Sequence, residues 1–188
     1  MNTRSFITAA SLAGQVLLQA GGPANAQTAP SAQTSIRETL WDDLVPPGWD
    51  PMKRFRDARL NALPDSDPRV QEMMLELREV WDKAPVNPRM DGATVRLPGY
   101  VVPLEEVKGE LQEFLVVPYF GACIHSPPPP ANQIVHVSGA RAPKGLRAMD
   151  AVWVTGVLKA QRLDSAMGVS GYQIQGAQVE RYVAPKRP

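Results

Sequence analysis

The chain has 188 residues, 20 basic and 19 acidic side chains, a formal net charge of +1 and one cysteine. This balanced charge argues against the basic surface that nucleic-acid-binding proteins carry, so we expect no nucleic-acid partner. A single cysteine cannot form an internal disulfide, so side-chain packing must hold the fold together. The length suits one hydrophobic core.

The first 26 residues have the three parts of a secretion signal. Arg4 gives a basic start, an uncharged stretch rich in Ala and Leu follows over 5–22, and Ala24 and Ala26 form a small-x-small cleavage site. Polar residues interrupt the apolar stretch, which makes it a poor membrane span. We therefore expect residues 1–26 to be a signal peptide cleaved near Ala26, and the mature protein to be periplasmic without a transmembrane anchor.

An N-terminal helical segment is predicted over residues 39–90, after a disordered linker over 27–38 that is poor in apolar residues. Within this segment, Leu40, Trp41 and Leu44 have helical spacing. A longer helix is predicted to begin at Asp67-Pro68, an N-cap aspartate followed by a first-turn proline. Its expected core face consists of Val70, Met73, Met74, Leu77, Val80 and Trp81.

The remainder, residues 91–184, has the pattern of short β-strands. Five runs rich in Val, Ile, Leu, Tyr or Trp predict strands over 93–103, 113–119, 133–137, 151–160 and 171–182. Five short strands separated by turns favour a small barrel over a parallel α/β sheet. The fold class predicted is therefore mainly β with an N-terminal helical segment (α+β), built on a small five-stranded barrel like the oligonucleotide/oligosaccharide-binding (OB) fold.

All cysteine and histidine residues of the chain lie within fourteen residues: Cys123, His125 and His136. If residues 121–125 are extended, the first two side chains point to the same side of the backbone. Pro127–Pro130 then predicts a rigid polyproline segment leading to the strand that carries His136. On that strand Asn132 is expected to share a face with His136.

Three interpretations of this cluster remain open. Cys123, His125 and His136 suit zinc or copper, with water, Asn132 or a carboxylate as the fourth ligand, although the spacing is not a standard zinc pattern. Alternatively, the loop is purely structural and the protein is an interaction module. In the third interpretation Cys123 is the nucleophile of a thiol enzyme with a histidine base, oriented by Asn132 or Asp150. A lone exported thiol is exposed to oxidation unless it is shielded or metal-bound, which argues against the enzyme.

Two other features have simple structural explanations. The four prolines are expected to fix a surface turn rather than to bind a partner. Tyr100, Tyr119 and Trp153 are expected to pack in the core rather than to line a groove.

Two motifs resemble a known bacterial family, domain of unknown function 3299: Leu-Pro-Gly-Tyr-Val-Val-Pro-Leu at 97–104 and Val-Pro-Tyr-Phe-Gly-Ala-Cys-Ile-His at 117–125. The resemblance covers roughly residues 90–183 together with 40–44, and the second motif is long and unusual. Residues that match the family pattern are Cys123, His125, Pro127, Pro128, Pro129, Pro130, Asn132 and Gln133, with His136 the less certain member.

The resemblance implies an exported or envelope protein, since genes for this family often lie near export or metal-homeostasis systems. It supplies no catalytic residues. The function expected is therefore a non-enzymatic periplasmic protein that binds zinc or copper in envelope metal handling, or that assists an envelope transporter component as its partner.

Overall fold

The computed structural model describes residues 36–53, 63–64, 66–124 and 127–183. The predicted signal peptide and most of the predicted linker lie outside these ranges. Within them, no helix has both the length and the apolar character needed to cross a membrane.

The described residues of the N-terminal part contain one short strand and three helical elements. They are β1 (Arg37–Glu38), a 3-10 helix (Trp41–Leu44), α1 (Pro68–Asp82) and a 3-10 helix (Pro88–Met90). The end of the predicted linker thus forms β1, because its two residues pair in parallel with Val95 and Arg96. The first helical turn stops before Pro46-Pro47, whose missing N–H groups cannot extend it.

Helix α1 begins at Pro68, where the Asp67 side chain accepts a hydrogen bond from the Arg69 backbone N–H at 2.9 Å. Its expected core face is only partly buried in the described structure. Leu77 is buried, whereas Met74 is 44% exposed. The helix therefore packs at the edge of the core rather than inside it.

The protein is mainly β, with a small helical part and a strongly curled main sheet. The strands after α1 are β2 (Thr94–Val107), β3 (Glu110–Val117), β4 (Val135–Ser138), β5 (Ala151–Val157), β6 (Leu163–Ser165), β7 (Gly168–Ser170), β8 (Tyr172–Gln175) and β9 (Gln178–Arg181). Six of them form the order β8-β4-β3-β2-β5-β9, and β1 adds to β2. The main sheet thus contains seven strands where the sequence predicts five.

The last predicted strand, 171–182, is in fact two strands. The chain turns at Gly176, whose φ of +65° lies in the left-handed region that favours glycine. Before this turn β8 runs parallel to β4, and after it β9 runs antiparallel to β5. The β6–β7 hairpin is also absent from the sequence prediction, because strands of three residues are too short to give a periodic signal.

The sheet curls until β8, at one end, approaches the C-terminal end of β5, the strand next to the other end. Lys159, just after β5, forms an antiparallel bridge with Gln173 of β8. Gly156 of β5 allows this approach, because a Cβ there would overlap the side chain of Ile174 in β8. Apolar side chains cover both faces of the sheet, in a large inner cluster and a smaller outer cluster that contains Val102, Leu115, Val117, Ala122 and Ile134.

Tyr172 joins the sheet to the N-terminal segment. Its side chain is fully buried, and its hydroxyl donates to the Leu44 carbonyl at 2.7 Å and accepts from the Asn87 backbone N–H at 2.6 Å. The Asn87 amide Nδ2 donates in turn to the Asp43 carbonyl at 2.8 Å. Burial raises the pKa of Tyr172 to about 12, so the hydroxyl keeps its proton under ordinary conditions.

We expect Tyr172→Phe to lower the free energy of unfolding by about 1–3 kcal/mol, because it removes two short hydrogen bonds of a buried hydroxyl and leaves only the 3.3 Å bond from the Asn87 N–H to the Leu44 carbonyl. Urea denaturation measures the change. Tyr182→Phe is the matched control, since Tyr182 is 39% exposed. This substitution should lower the free energy of unfolding by less than about 0.5 kcal/mol. Equal effects at both positions would contradict the role assigned to Tyr172.

Candidate functional site

Residues 117–133, here called the Cys-Pro segment, lead from β3 to β4. The extended backbone on which a shared side for Cys123 and His125 depends is not found at residues 121–124. Gly121 and Cys123 have φ values of +88° and +66°, and the Ile124 N–H donates to the Gly121 carbonyl at 3.3 Å. Cys123 therefore lies in a tight turn, where the alternation of side chains along a strand does not apply.

The Cys123 side chain packs against the outer apolar cluster. This burial raises the pKa of the thiol to about 11, an effect that the nearby Arg78 opposes only in part. The left-handed backbone is unusual for a residue with a Cβ, so the surrounding contacts must compensate for the strain at this position. The side chain is half-buried, and at neutral pH the thiol is protonated, which is the state of a packing residue rather than of a nucleophile.

The last proline of the run has the extended geometry that the sequence predicts for the whole run. Pro130 has φ −57° and ψ 150°, close to polyproline II. Pro129 is buried and Pro127 is exposed. His125, one of the three predicted metal ligands, lies outside the described residues.

Asn132 and Gln133 attach the Cys-Pro segment to the N-terminal helical part. They lie in a 3-10 turn, Ala131–Gln133, so the expectation that Asn132 shares a strand face with His136 is wrong. The buried Asn132 side chain donates from Nδ2 to the Pro85 carbonyl at 2.9 Å, and Gln133 Nε2 donates to the Trp41 carbonyl at 2.9 Å. Both side chains therefore act as structural ties.

His136 is buried in β4, with 3% of its surface exposed. Gln173, its direct neighbour across the parallel β4–β8 pair, places Nε2 3.2 Å from His136 Nδ1. On the other side, His136 Nε2 lies 3.4 Å from a carboxylate oxygen of Glu113, yet it has no hydrogen bond of acceptable geometry. Glu113 and Gln173 thus surround His136, and only the strand register reveals this, because both are far from it in sequence.

The three predicted ligands are not seen assembled. Among the residues that the structure describes, no three His, Cys, Asp or Glu side chains are arranged to hold a metal ion. The described side chains instead give two separate environments, an apolar one around Cys123 and a polar one around His136. Sequence reasoning missed the polar partners of His136 and the buried hydroxyl of Tyr172.

We expect Asn132→Asp to lower the free energy of unfolding at pH 7 by about 3 kcal/mol or more, because it removes the N–H donor to Pro85 and buries a charge. The loss relative to wild type should shrink as the pH falls towards about 4, where the carboxyl takes up a proton and regains a donor. Denaturant unfolding at several pH values measures both effects.

The control for this experiment is Gln178→Glu, the same change of amide to carboxylate at an exposed position of β9. It should change the free energy of unfolding by less than about 0.5 kcal/mol. A neutral effect of Asn132→Asp would show that the Cys-Pro segment is not anchored through this side chain.

Comparison with known proteins agrees with the two sequence motifs. The family described as "Protein of unknown function (DUF3299)" matches residues 41–181. A crystal structure of a DUF3299 family protein from Pseudomonas aeruginosa PAO1 is 34% identical in sequence, with a TM-score of 0.60, and the match covers 80% of this chain and 99% of that chain. No curated protein matches. The family resemblance predicted from the sequence is confirmed: the chain belongs to the DUF3299 family.

Proposed function

We propose that this protein is an exported, non-enzymatic binding module in which the Cys-Pro segment is structural. The observation that carries the proposal is the pair of side-chain hydrogen bonds from Asn132 and Gln133 to the carbonyls of Pro85 and Trp41. These bonds fix the end of a stiff proline run to the N-terminal segment. The secretion signal predicted over residues 1–26 supports export.

The arrangement of the strands supports an OB-type barrel as the framework. Strands β5, β2, β3, β4 and β8 are neighbours in that order, and the only parallel pair among them is β4–β8. The Lys159–Gln173 bridge lies between the two ends of this series. An OB barrel is a five-stranded, partly open Greek-key barrel that generally serves to bind ligands. Strands β1 and β9 are then additions outside the barrel.

The state of Cys123 favours a binding role over a thiol enzyme. With a pKa of about 11, only about one thiol in ten thousand is ionised at pH 7. A nucleophilic cysteine instead has a lowered pKa from a neighbouring cation, metal or helix N-terminus. The described partners of His136 are Gln173 and Glu113, so no base for Cys123 is identified in this part of the chain.

Thiol labelling tests this proposal. In the native protein at pH 7.5 we expect Cys123 to react with a maleimide or disulfide reagent at least about 100-fold more slowly than in denaturant, because both burial and the raised pKa suppress the thiolate. The native rate should rise about tenfold per pH unit towards pH 11.

A matched control introduces an exposed thiol in the absence of the native one. Leu75→Cys, combined with Cys123→Ser, places the thiol at a position of α1 that is 72% exposed, and it should react at the rate of a free thiol. Rapid stoichiometric labelling of native Cys123 with an apparent pKa below about 8 would contradict a structural role and favour the enzyme.

Metal binding is a second candidate, and one observation favours it. His136 Nε2 is buried without a hydrogen bond and lies 3.4 Å from a Glu113 carboxylate oxygen. Two ligand atoms on one tetrahedral zinc ion, each at about 2.0–2.1 Å, are separated by about 3.3 Å. In this second proposal, His136 and Glu113 bind zinc or copper with a third ligand from the Cys-Pro segment: His125, or Cys123 after a rearrangement, because the described structure does not group Cys123 with the other two.

Elemental analysis of the purified protein tests the metal proposal. Near-stoichiometric zinc or copper is expected in the wild-type protein, with at least about tenfold weaker retention in His136→Ala and Glu113→Gln. Cys123→Ser and His125→Ala show which residue of the Cys-Pro segment takes part. Glu110→Gln, on the same strand and 52% exposed in its side chain, should retain the metal.

Absence of metal from every protein after reconstitution under reducing conditions would refute the second proposal. The structural role of the Cys-Pro segment would be unaffected by that result, because it depends on Asn132 and Gln133 rather than on a metal ion.

A further inference from the structure

The outer face of β2, β5 and β9 carries aromatic side chains on both sides of a small residue. In the strand register, Tyr100 of β2 lies directly opposite Ala151 of β5. On the other side of Ala151, the Tyr182 backbone N–H donates to the Ala151 carbonyl at 2.8 Å. Two tyrosines therefore stand on either side of an alanine, and the alanine leaves a slot between them.

The slot has a volume of about 270 Å³. It is lined by Pro98, Gly99, Tyr100, Ala151, Trp153 and Tyr182. The expectation of core packing is therefore wrong for Trp153, whereas Tyr100 both lines the slot and packs against the outer apolar cluster. The two residues belong to the outer face of the sheet, because their strand neighbours Val101, Val152 and Val154 occupy the inner cluster.

Neighbouring groups hold both walls of the slot. On one side, the Trp153 ring lies 5.4 Å from the Tyr182 ring and is covered by the Arg96 guanidinium at 4.1 Å. On the other side, Tyr100 makes an edge-to-face contact with Phe120 at 5.8 Å. Such contacts restrict the rings, so part of the ordering cost of binding is already met in the free protein.

The width of the slot suits one ring. Tyr100 and Tyr182 are separated by two strand spacings, about 9.6 Å. This figure is the spacing of the two backbones; with both side chains standing perpendicular to the sheet, a ring placed midway would lie about 5 Å from each tyrosine, within the range of favourable ring contacts.

The charges around the slot point to a neutral ligand. The six lining residues named above include no Asp, Glu, Lys or Arg. Two arginines near the slot in the described part of the chain are paired: Arg96 with Glu38 at 2.8 Å and Glu180 at 3.5 Å, and Arg181 with Asp150 at 2.7 Å. A polyanion such as a nucleic acid would find its phosphates opposed by these carboxylates.

The rim of the slot also favours a ligand with hydroxyl groups. Glu180 lies opposite Trp153 in the β5–β9 pair, and its side chain is 52% exposed, so its carboxylate can accept further hydrogen bonds. Tyrosine hydroxyls and the indole N–H offer additional polar groups. A proline-rich peptide would fill an aromatic slot but offers no N–H from its prolines to Glu180.

We infer that the slot formed by Tyr100, Trp153 and Tyr182 binds one sugar ring of a neutral saccharide. The C–H faces of the sugar stack on the tyrosines, and its hydroxyls donate to Glu180. This inference rests on the proposed binding role of the barrel and names its ligand. It does not depend on Cys123 or on any metal ion.

Titration of the purified protein tests the inference. The probes are a neutral oligomer of N-acetylglucosamine, a neutral oligomer of glucose, a short proline-rich peptide and an oligothymidylate. Binding is followed through the indole N–H NMR signals, and Trp153→Phe identifies the signal of Trp153. We expect one of the saccharides to shift this signal, with saturation below about 10 mM.

Variants then locate the binding. Tyr100→Ala and Tyr182→Ala should each weaken saccharide binding at least about fivefold, and Tyr182→Phe should retain it because the ring remains. Leu75→Ala removes an exposed apolar side chain from α1, outside the slot, and should bind as wild type. Thermal unfolding confirms that each variant is folded.

Several results would overturn the inference. The first is the absence of any saccharide effect on the Trp153 signal up to about 10 mM. The second is saccharide binding of unchanged affinity in Tyr100→Ala and Tyr182→Ala. The third is binding of the peptide or the oligothymidylate without binding of either saccharide. The thiol-labelling result is independent of these outcomes, so a failure of the saccharide inference is distinguishable from a failure of the structural role of the Cys-Pro segment.

Discussion

The buried hydroxyl of Tyr172 is the interaction on which the association of the two parts of the protein depends. It donates to the Leu44 carbonyl and accepts from the Asn87 N–H at once, and without it these two buried groups would keep only the longer hydrogen bond, 3.3 Å, that joins them to each other. The ties from Asn132 and Gln133 reach neighbouring parts of the same N-terminal segment. One polar junction thus determines where the helical part, the Cys-Pro segment and β8 meet.

The sequence predicts the local elements better than their pairing. Runs of β-branched and aromatic residues locate β2, β3, β4 and β5 to within a few residues, and the Asp67-Pro68 pair marks the start of α1. The parallel β4–β8 pair and the division at Gly176 are set by tertiary contacts, such as the one between Gly156 and Ile174. Local propensity contains no information about these contacts.

The candidate site was less predictable than the fold, and the reason is backbone conformation. Periodicity assigns faces only in regular structure, whereas Cys123 has a φ of +66° and Asn132 lies in a 3-10 turn. The environment of His136 depends on strand register, which brings Gln173 beside it from the C-terminal part of the chain. The alanine between Tyr100 and Tyr182 is likewise informative only once β2, β5 and β9 are aligned.

The position of Tyr172 in β8, far along the chain from Leu44, also affects how the chain can fold. Leu44 and Tyr172 are 128 residues apart, so the junction cannot form until almost the whole chain is present. Contacts between such distant residues require large loops to close, which slows folding. A shortened chain that ends before β8 would lack both the last strand of the curled sheet and the hydroxyl that anchors the N-terminal turn. The last contacts of the native state can therefore form only once β8 is available to the N-terminal segment.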